Sequence, residues 1–239
     1  MNAPANAAGL RQIPVLLRGE PDAINEWIQR WHVRRVLLSV AVIILGAALF
    51  GAAVGYWRSP LQALYAAIKF PLIILLTTVG NALLNAMLAP LLGLNLSGRQ
   101  CLTVTLMTFA IAALLLGALA PIAVFVVWNN PPLTNATTLA SAEYGQMQLT
   151  LFGFIAGAGV TGNVALAPLL RAWSGRRGVA RRALFAWLAV NLLLGSQICW
   201  VLRPFIWDPT RPVEFLGPEF LRGSFYETVF EAARRLLFS

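Results

Sequence analysis

The sequence predicts an all-α membrane protein: a polytopic bundle of about five transmembrane helices, with interfacial amphipathic helices at both ends. First, 59% of the 239 residues are hydrophobic and only 11% are charged, whereas soluble domains carry about 25% charged residues. Second, the mean hydropathy is +0.72. Third, the apolar runs are long, rich in Leu, Ala and Gly, and do not alternate, which favours helices over a membrane barrel.

The chain divides into three predicted regions. Residues 1–35 form an N-terminal cytoplasmic segment, 36–204 a five-span membrane domain, and 205–239 a C-terminal tail. In the first region, "PDAINEWIQRWHVRR" over residues 21–35 repeats apolar residues at helical spacing. Its two tryptophans and its basic residues are typical of a helix that lies among lipid headgroups.

The first span is predicted over Val36–Tyr56, where Gly51 and Gly55 lie four residues apart on one helical face. Small residues at this spacing allow a second membrane helix to approach closely. Gly51 and Gly55 are therefore predicted helix-packing positions.

The second span is predicted from Phe70–Pro71 to Leu94, with Pro71 in the first helical turn, where its missing N–H costs little. Lys69 would then lie at the interface and contact lipid or a partner. The alternative is that Lys69 is a charge inside the membrane, which is costly because no span offers it an acid. Gly80, Asn81 and other irregular residues predict a kink, and leave open whether 61–94 crosses once or twice.

The third and fourth spans are predicted over Cys101–Trp128 and Met147–Leu170. The fourth contains "GAGVTG", which matches the dinucleotide-binding pattern G-x-G-x-x-G. A dinucleotide site requires a strand before this pattern and an acidic residue about 20 positions after it. Here the pattern lies inside an apolar segment, which does not fit such a site. Close helix packing at Gly153 and Gly157 is the better interpretation.

The fifth span is predicted over Ala183–Leu202, after a turn with several arginines and no acid: Arg176, Arg177, Arg181 and Arg182 among them. The segments predicted inside carry five basic residues (1–35), one (Arg99) and five (171–182), and the outer loops carry two and none. The outer tail carries five basic residues, which five acids balance. The positive-inside rule therefore predicts a cytoplasmic N-terminus and a periplasmic C-terminus. The four arginines are predicted to contact anionic lipid or a partner.

The C-terminal tail is predicted to bind partners or the membrane surface. Arg203 can reach a lipid phosphate, Pro204 ends the fifth span, and Trp207 suits headgroup depth. The segment "SFYETVFEAARRLLFS" then forms an amphipathic helix with Tyr226 and Phe230 on its apolar face.

The sequence contains no convergent catalytic or metal-binding motif. None of its nine acids lies in a predicted span, and it has a single histidine and two cysteines. The 18 basic residues include one lysine and lack interleaved stacking aromatics, which argues against nucleic acid as a partner. The prediction is a non-enzyme with no cofactor and no metal.

Three groups of motifs resemble a known layout: "AIKFPLIILLTT" over 67–78, "LAPIAVF" over 119–125, and "QICWVLRPFIWDP" with "SFYE" over 197–209 and 224–227. They are similar to a set of bacterial inner-membrane proteins whose layout resembles the Yip1-domain superfamily. The likeness covers residues 60–230. It implies a five-span bundle with a cytoplasmic N-terminus that acts through protein partners.

These observations predict a non-catalytic membrane subunit or scaffold in the bacterial inner membrane. Its partners would be membrane lipids and other membrane subunits, or further copies of the chain. The alternative is a channel or transporter for a small neutral solute, because several spans carry polar uncharged residues, among them Asn81, Asn85, Asn163, Asn191 and Gln197.

Overall fold

The structure, a computed structural model, describes residues 33–130, 142–203 and 212–217, together with residues 221, 223, 224, 226 and 227. Within these residues the chain forms six helices and no strand. The helices are α1 (Val33–Gly55), α2 (Pro60–Leu91), α3 (Gly98–Trp128), α4 (Ala142–Val164), α5 (Ala167–Ser174) and α6 (Arg177–Leu202). The predicted interfacial helix over 21–35 lies outside the described residues, except that its last three residues begin α1.

Five helical segments are long and apolar enough to cross a membrane. Four of them are single helices, namely α1, α2, α3 and α6. The fifth, Gln146–Ser174, combines most of α4 with α5. The chain is therefore a multi-pass membrane protein of the all-α class, which confirms the predicted fold class.

Helix α2 differs from the prediction, because it begins at Pro60 and not at Phe70–Pro71. The Ser59 hydroxyl accepts a hydrogen bond from the Gln62 N–H at 3.1 Å and caps the helix there. Pro71 consequently lies in the helix interior. The helix has 32 residues, a length of about 48 Å. A single continuous helix of this length crosses a bilayer once.

The predicted fourth and fifth spans also have different bounds. The fourth is broken between α4 and α5 near Pro168, which lies in the first turn of α5. Helix α5 ends at Gly175, whose left-handed conformation (φ 60°) suits a residue without a side chain. Helix α6 then begins at Arg177 and not at Ala183, so the arginine-rich segment is mainly helical.

Two apolar clusters hold the bundle together. The first joins α1, α2, α3 and α4, and its largest members include Ile43, Phe50, Phe70 and Met147. The Phe50 and Phe70 rings lie 5.6 Å apart between centroids. The second cluster joins α3, α5, α6 and the end of α2 around Trp187. Helix α3 contributes to both clusters and is the central packing element.

Candidate functional site

Polar residues of α2 and α6 meet along one line through the bundle, which we call the α2–α6 seam. Its register is defined by three contacts: Lys69 with Arg203, Thr77 with Gly195, and Asn81 with Asn191. Four residues toward the C-terminus of α2 correspond to four residues toward the N-terminus of α6. The two helices therefore run antiparallel, and residues at equal steps share one level of the membrane.

Three asparagines form a hydrogen-bonded chain across the seam. The Asn81 side-chain amide donates to Asn191 Oδ1, and the Asn191 amide donates to Asn163 Oδ1 at 2.8 Å. The Asn163 amide in turn donates to the Gly159 carbonyl at 2.8 Å. These side-chain hydrogen bonds link α2, α6 and α4. They persist within the bundle because the lipid phase offers no water to compete for them.

Asn85 and Trp187 lie at the same level of the seam, one helical turn beyond the pair Asn81 and Asn191. Asn85 is 2% exposed and Trp187 is 1% exposed. Three buried atoms here have no hydrogen-bond partner among the described residues: the Oδ1 atoms of Asn81 and Asn85, and Nε1 of Trp187. A further turn on, the fully buried Ala89 and Ala183 close the seam. Buried polar atoms normally have a partner, so these three are unusual.

The threonines of the spans do not take part in this network. The hydroxyls of Thr77, Thr78, Thr105 and Thr108 each donate to the carbonyl four residues earlier in their own helix. This bond satisfies the hydroxyl without a second helix or a solute. Among the described polar residues named as a possible solute path, Asn81, Asn163 and Asn191 are the ones whose side chains bond from one helix to another.

Lys69 lies at the other end of the seam and is 1% exposed. Its ammonium group donates to the carbonyls of Arg203 and Glu214, at 3.3 and 3.4 Å. It also lies 5.3 Å from the centroid of the Phe215 ring, whose face attracts cations. We call this arrangement the Lys69 clasp.

The Lys69 clasp corrects the predicted role of Lys69 as a lipid or partner contact, because the amino group is buried against its own chain. The Arg203 carbonyl lies at the C-terminal end of α6, where carbonyls carry partial negative charge, and with the Glu214 carbonyl of the tail it takes the place of the acid that the spans lack. Main-chain carbonyls leave no signal in the sequence, and residue order alone could not have identified them.

Two predicted contacts of the C-terminal region also lie against α6. Arg203 ends that helix in a left-handed conformation (φ 40°), with its side chain over the Trp200 ring at 5.0 Å. The Tyr226 hydroxyl donates to the Leu193 carbonyl at 2.8 Å and lies 2.5 Å from the Ser196 hydroxyl. Tyr226 keeps 43% of its surface exposed. Trp207 and Phe230 lie outside the described residues.

The arginines between α5 and α6 are exposed at the opposite end of the bundle from the Lys69 clasp. Arg176 immediately precedes α6, while Arg177, Arg181 and Arg182 lie in its first two turns. All four are exposed at this end of the bundle, and their predicted contact with lipid or a partner stays a prediction.

The structure places Gly51 and Gly55 at the contact of α1 with α2. A Cβ atom at Gly51 would lie 2.5 Å from the Ala66 carbonyl oxygen, and one at Gly55 would lie 2.7 Å from that of Gln62. Sequence reasoning missed Gly46 and Gly117, where α1 meets α3 as closely. Gly117 follows Ala113 by four residues, so the small-residue spacing could have identified it, whereas Gly46 has Val42 and Phe50 four residues away on either side.

Gly153 and Gly157 do not have the predicted close contact within the chain. A Cβ atom at either position would meet no described atom within 4 Å. Helix α4 instead approaches α3 through Gly162, where a Cβ atom would lie 2.5 Å from the Thr108 carbonyl oxygen. The reason is that α4 turns its larger apolar residues, such as Met147 and Leu151, toward the bundle.

Among the described residues, no group of three or more His, Cys, Asp or Glu side chains is placed to hold a metal ion. No protein-family model, curated protein or solved structure matches the chain. The resemblance to the Yip1-domain layout, and the absence of enzyme activity and cofactors, stay predictions.

Proposed function

We propose that the chain is a non-catalytic integral membrane scaffold that binds transmembrane helices of partner proteins on the outer face of α4 and α6. The observation that carries this proposal is the set of exposed glycines in the middle of α4. Lipid contacts normally favour larger apolar side chains, whereas glycine exposes backbone that another helix can contact.

The exposed face of α4 combines Thr150, Gly153, Gly157 and Thr161, which follow one another at steps of three or four residues. Both threonine hydroxyls donate within their own helix, to the carbonyls of Gln146 and Gly157 at 2.8 Å. The face is therefore narrow, uncharged and already satisfied in its hydrogen bonds. These are the properties that let a second membrane helix pack closely.

Helix α6 supports the same proposal through its low burial. Of its 26 residues only Ala180, Ala183 and Trp187 are buried. Its outward face includes Phe185, Leu192 and Leu193, which suit either acyl chains or apolar residues of a partner. A partner that packs on α4 would lie beside this face and extend the interface.

For the location we propose the bacterial inner membrane, with the N-terminus in the cytoplasm and the C-terminus in the periplasm. The charge asymmetry of the loops supports this orientation. The exposed cations Arg176, Arg177, Arg181 and Arg182 would then face the cytoplasmic leaflet, whose anionic lipids attract such groups. The motifs similar to the Yip1-domain layout support a role through protein partners.

The test is purification of the native protein in nanodiscs, with mass spectrometry of the proteins that come with it. We expect a partner in stoichiometric amount, and at least a tenfold loss of that partner in the double variant Gly153→Leu/Gly157→Leu. Ala41→Leu is the matched control, because it adds the same side chain to an exposed position of α1. Equal recovery of the partner from the double variant would contradict the proposal, as would the absence of a partner from all samples.

The alternative, a channel for a small neutral solute, is favoured by the asparagine chain of the α2–α6 seam. Glycerol flux through liposomes that contain the purified chain alone distinguishes the two functions. A scaffold gives no flux above empty liposomes, whereas a channel gives flux that Asn163→Leu reduces.

A further inference from the structure

We propose that Arg177, Arg181 and Arg182 bind the phosphate of one anionic phospholipid, whose acyl chains lie along the outward face of α6. The phosphate would lie on the open backbone at Gly178, and we call this arrangement the Gly178 site. A general attraction of arginines to an anionic leaflet needs no defined geometry, whereas this site has one place for a phosphate and one for acyl chains. It needs no protein partner, so it does not rest on the scaffold function.

The surface at Gly178 is open, because this residue has no side chain and no neighbour covers it. Gly178 is exposed, and a Cβ atom there would meet no described atom within 4 Å. Arg181 follows Arg177 by four residues, and Arg182 follows Gly178 by four, so these residues are neighbours on the helix surface. Three exposed arginines therefore border uncovered backbone in the first two turns of α6.

The side chain of Arg182 is directed toward the end of the helix. Its Nε atom donates to the Gly178 carbonyl at 3.4 Å, one turn nearer to the N-terminus of α6. Long basic side chains near the ends of membrane helices extend in this way toward the headgroups. This bond uses one of the five N–H donors of the guanidinium group, and a phosphate can accept from others in pairs.

An apolar surface follows the arginines directly on the outward face of α6. Phe185, Ala189 and Leu192 continue from Arg181 and Arg182 at helical spacing, and all three are exposed. Phe185 is 64% exposed and Leu192 is 65% exposed. Cations followed by an apolar strip match the order of groups in a phospholipid, whose phosphate lies outside its acyl chains. A soluble acidic peptide would leave this strip uncovered.

Helix α2 exposes apolar side chains at the same depth as this strip. A Cβ atom at Gly93 would lie 3.9 Å from Cγ1 of Val179, so the register of the α2–α6 seam extends to this end of the bundle. That register places Phe185 at the level of Met87, which is 70% exposed. Two helices therefore present apolar surface to acyl chains, one turn nearer to the membrane centre than Arg181.

Charge favours an anionic lipid over a zwitterionic one. The acids among the described residues are Glu143 in the first turn of α4, Glu214 in the Lys69 clasp, and Glu227, next to the C-terminal end of α6. None of these lies beside the Gly178 site. The three arginines therefore repel the amine of a zwitterionic headgroup, whereas a glycerol headgroup adds no positive charge to its phosphate.

The test is native mass spectrometry of the full chain, incubated in detergent with equal amounts of phosphatidylglycerol and phosphatidylcholine that have the same acyl chains. We expect one retained phosphatidylglycerol per chain, preferred at least about tenfold over phosphatidylcholine. Arg181→Gln/Arg182→Gln should abolish this preference. The matched control Arg99→Gln/Arg171→Gln removes the same charge from exposed positions at the same end and should keep it. Equal loss in both double variants would overturn the proposal, because net charge alone would then explain the preference.

A second variant tests the place of the phosphate at constant charge. Gly178→Leu should weaken retention at least about fivefold, as for the loss of one basic contact at a lipid surface. Gly98→Leu, at an equally open position at the start of α3, is its control and should have no effect.

Two results identify a different ligand. Inorganic phosphate should not displace the lipid, since it has no acyl chains, and displacement would replace the lipid site by a site for free phosphate. A lack of preference in the unmodified chain would also overturn the proposal and leave the arginines for a soluble acidic partner. Neither result affects the recovery of a membrane partner, which tests the scaffold function separately.

Discussion

The glycines of α1 and those on the outer face of α4 have opposite surroundings. In α1, Gly46, Gly51 and Gly55 lie so close to neighbouring backbone that a Cβ atom would collide with it, as it would at Gly162 on the inner face of α4. A Cβ atom at Gly153 or Gly157 would meet no described atom within 4 Å. The spacing of glycines shows that a face can accept a helix, but the partner of that face is decided by the rest of the fold.

The contrast extends to the way the helices are held together. Helices α1 to α3 are joined by apolar contacts, centred on residues such as Ile43 and Phe50. Helix α6 is joined to α2 through the polar contacts of the α2–α6 seam, in addition to the apolar cluster around Trp187. Changes between α1 and its neighbours should therefore affect folding, and changes in the seam should affect how α6 and the tail are attached.

The largest effect is expected from placing the same side chain at the two kinds of glycine. Gly46→Leu should destabilise the protein by at least about 3 kcal/mol, because the new side chain would overlap the Ala113 backbone. Gly157→Leu should leave the stability of the isolated chain unchanged or raise it by up to about 1 kcal/mol, because leucine favours a helix more than glycine does and meets no described atom there. Thermal unfolding in nanodiscs, with size-exclusion profiles, measures both. Equal losses in the two variants would contradict the distinction between the two kinds of glycine.

A smaller effect is expected at the Lys69 clasp. Lys69→Met keeps most of the side-chain volume but removes two hydrogen bonds from a charged donor, with a loss of about 2 kcal/mol. Hydrogen exchange of the backbone amides of residues 213–217 should become at least tenfold faster. Arg99→Met, which removes an exposed cation at the start of α3, is the control and should leave this exchange unchanged. Unchanged exchange in Lys69→Met would mean that the clasp does not hold the tail.

The smallest effect is expected at the centre of the asparagine chain. Asn191→Leu removes its bonds to Asn81 and Asn163, and side-chain hydrogen bonds between membrane helices are worth about 1 kcal/mol each or less. The unfolding midpoint should fall modestly, while Leu192→Ala, at an exposed neighbour, should leave it nearly unchanged. A more stable Asn191→Leu variant would contradict a role of these hydrogen bonds in holding α6 to α2 and α4.

Much of the architecture could be predicted from the sequence. The apolar runs identified five spans, and the third, predicted over Cys101–Trp128, matches α3 except for its first three residues, which the cap at Ser97 adds to the helix. The start of α2 could not be predicted, since "LQALYAAIK" suits an interfacial segment and a helix equally well. Its helical state depends on the cap at Ser59 and on contact of Ala66 with α1.

The sequence identified most of the polar residues of the candidate site, but it did not identify which of them contact each other. The asparagines were recognised as unusual polar residues in apolar spans, but their pairing depends on the antiparallel register of α2 and α6. Trp187 carried no signal, because a tryptophan in an apolar helix is ordinary core or interface. The role of Lys69 was missed because its acceptors are main-chain carbonyls of residues 134 and 145 positions away.

Local composition is enough to identify this chain as a helical multi-pass membrane protein with few charges inside its spans. The reason is that each membrane helix must satisfy its own backbone hydrogen bonds. Composition does not reveal which glycines are in contact, which asparagines are paired or what holds Lys69. These depend on how separate helices are rotated and aligned, and side-chain packing between segments sets that geometry.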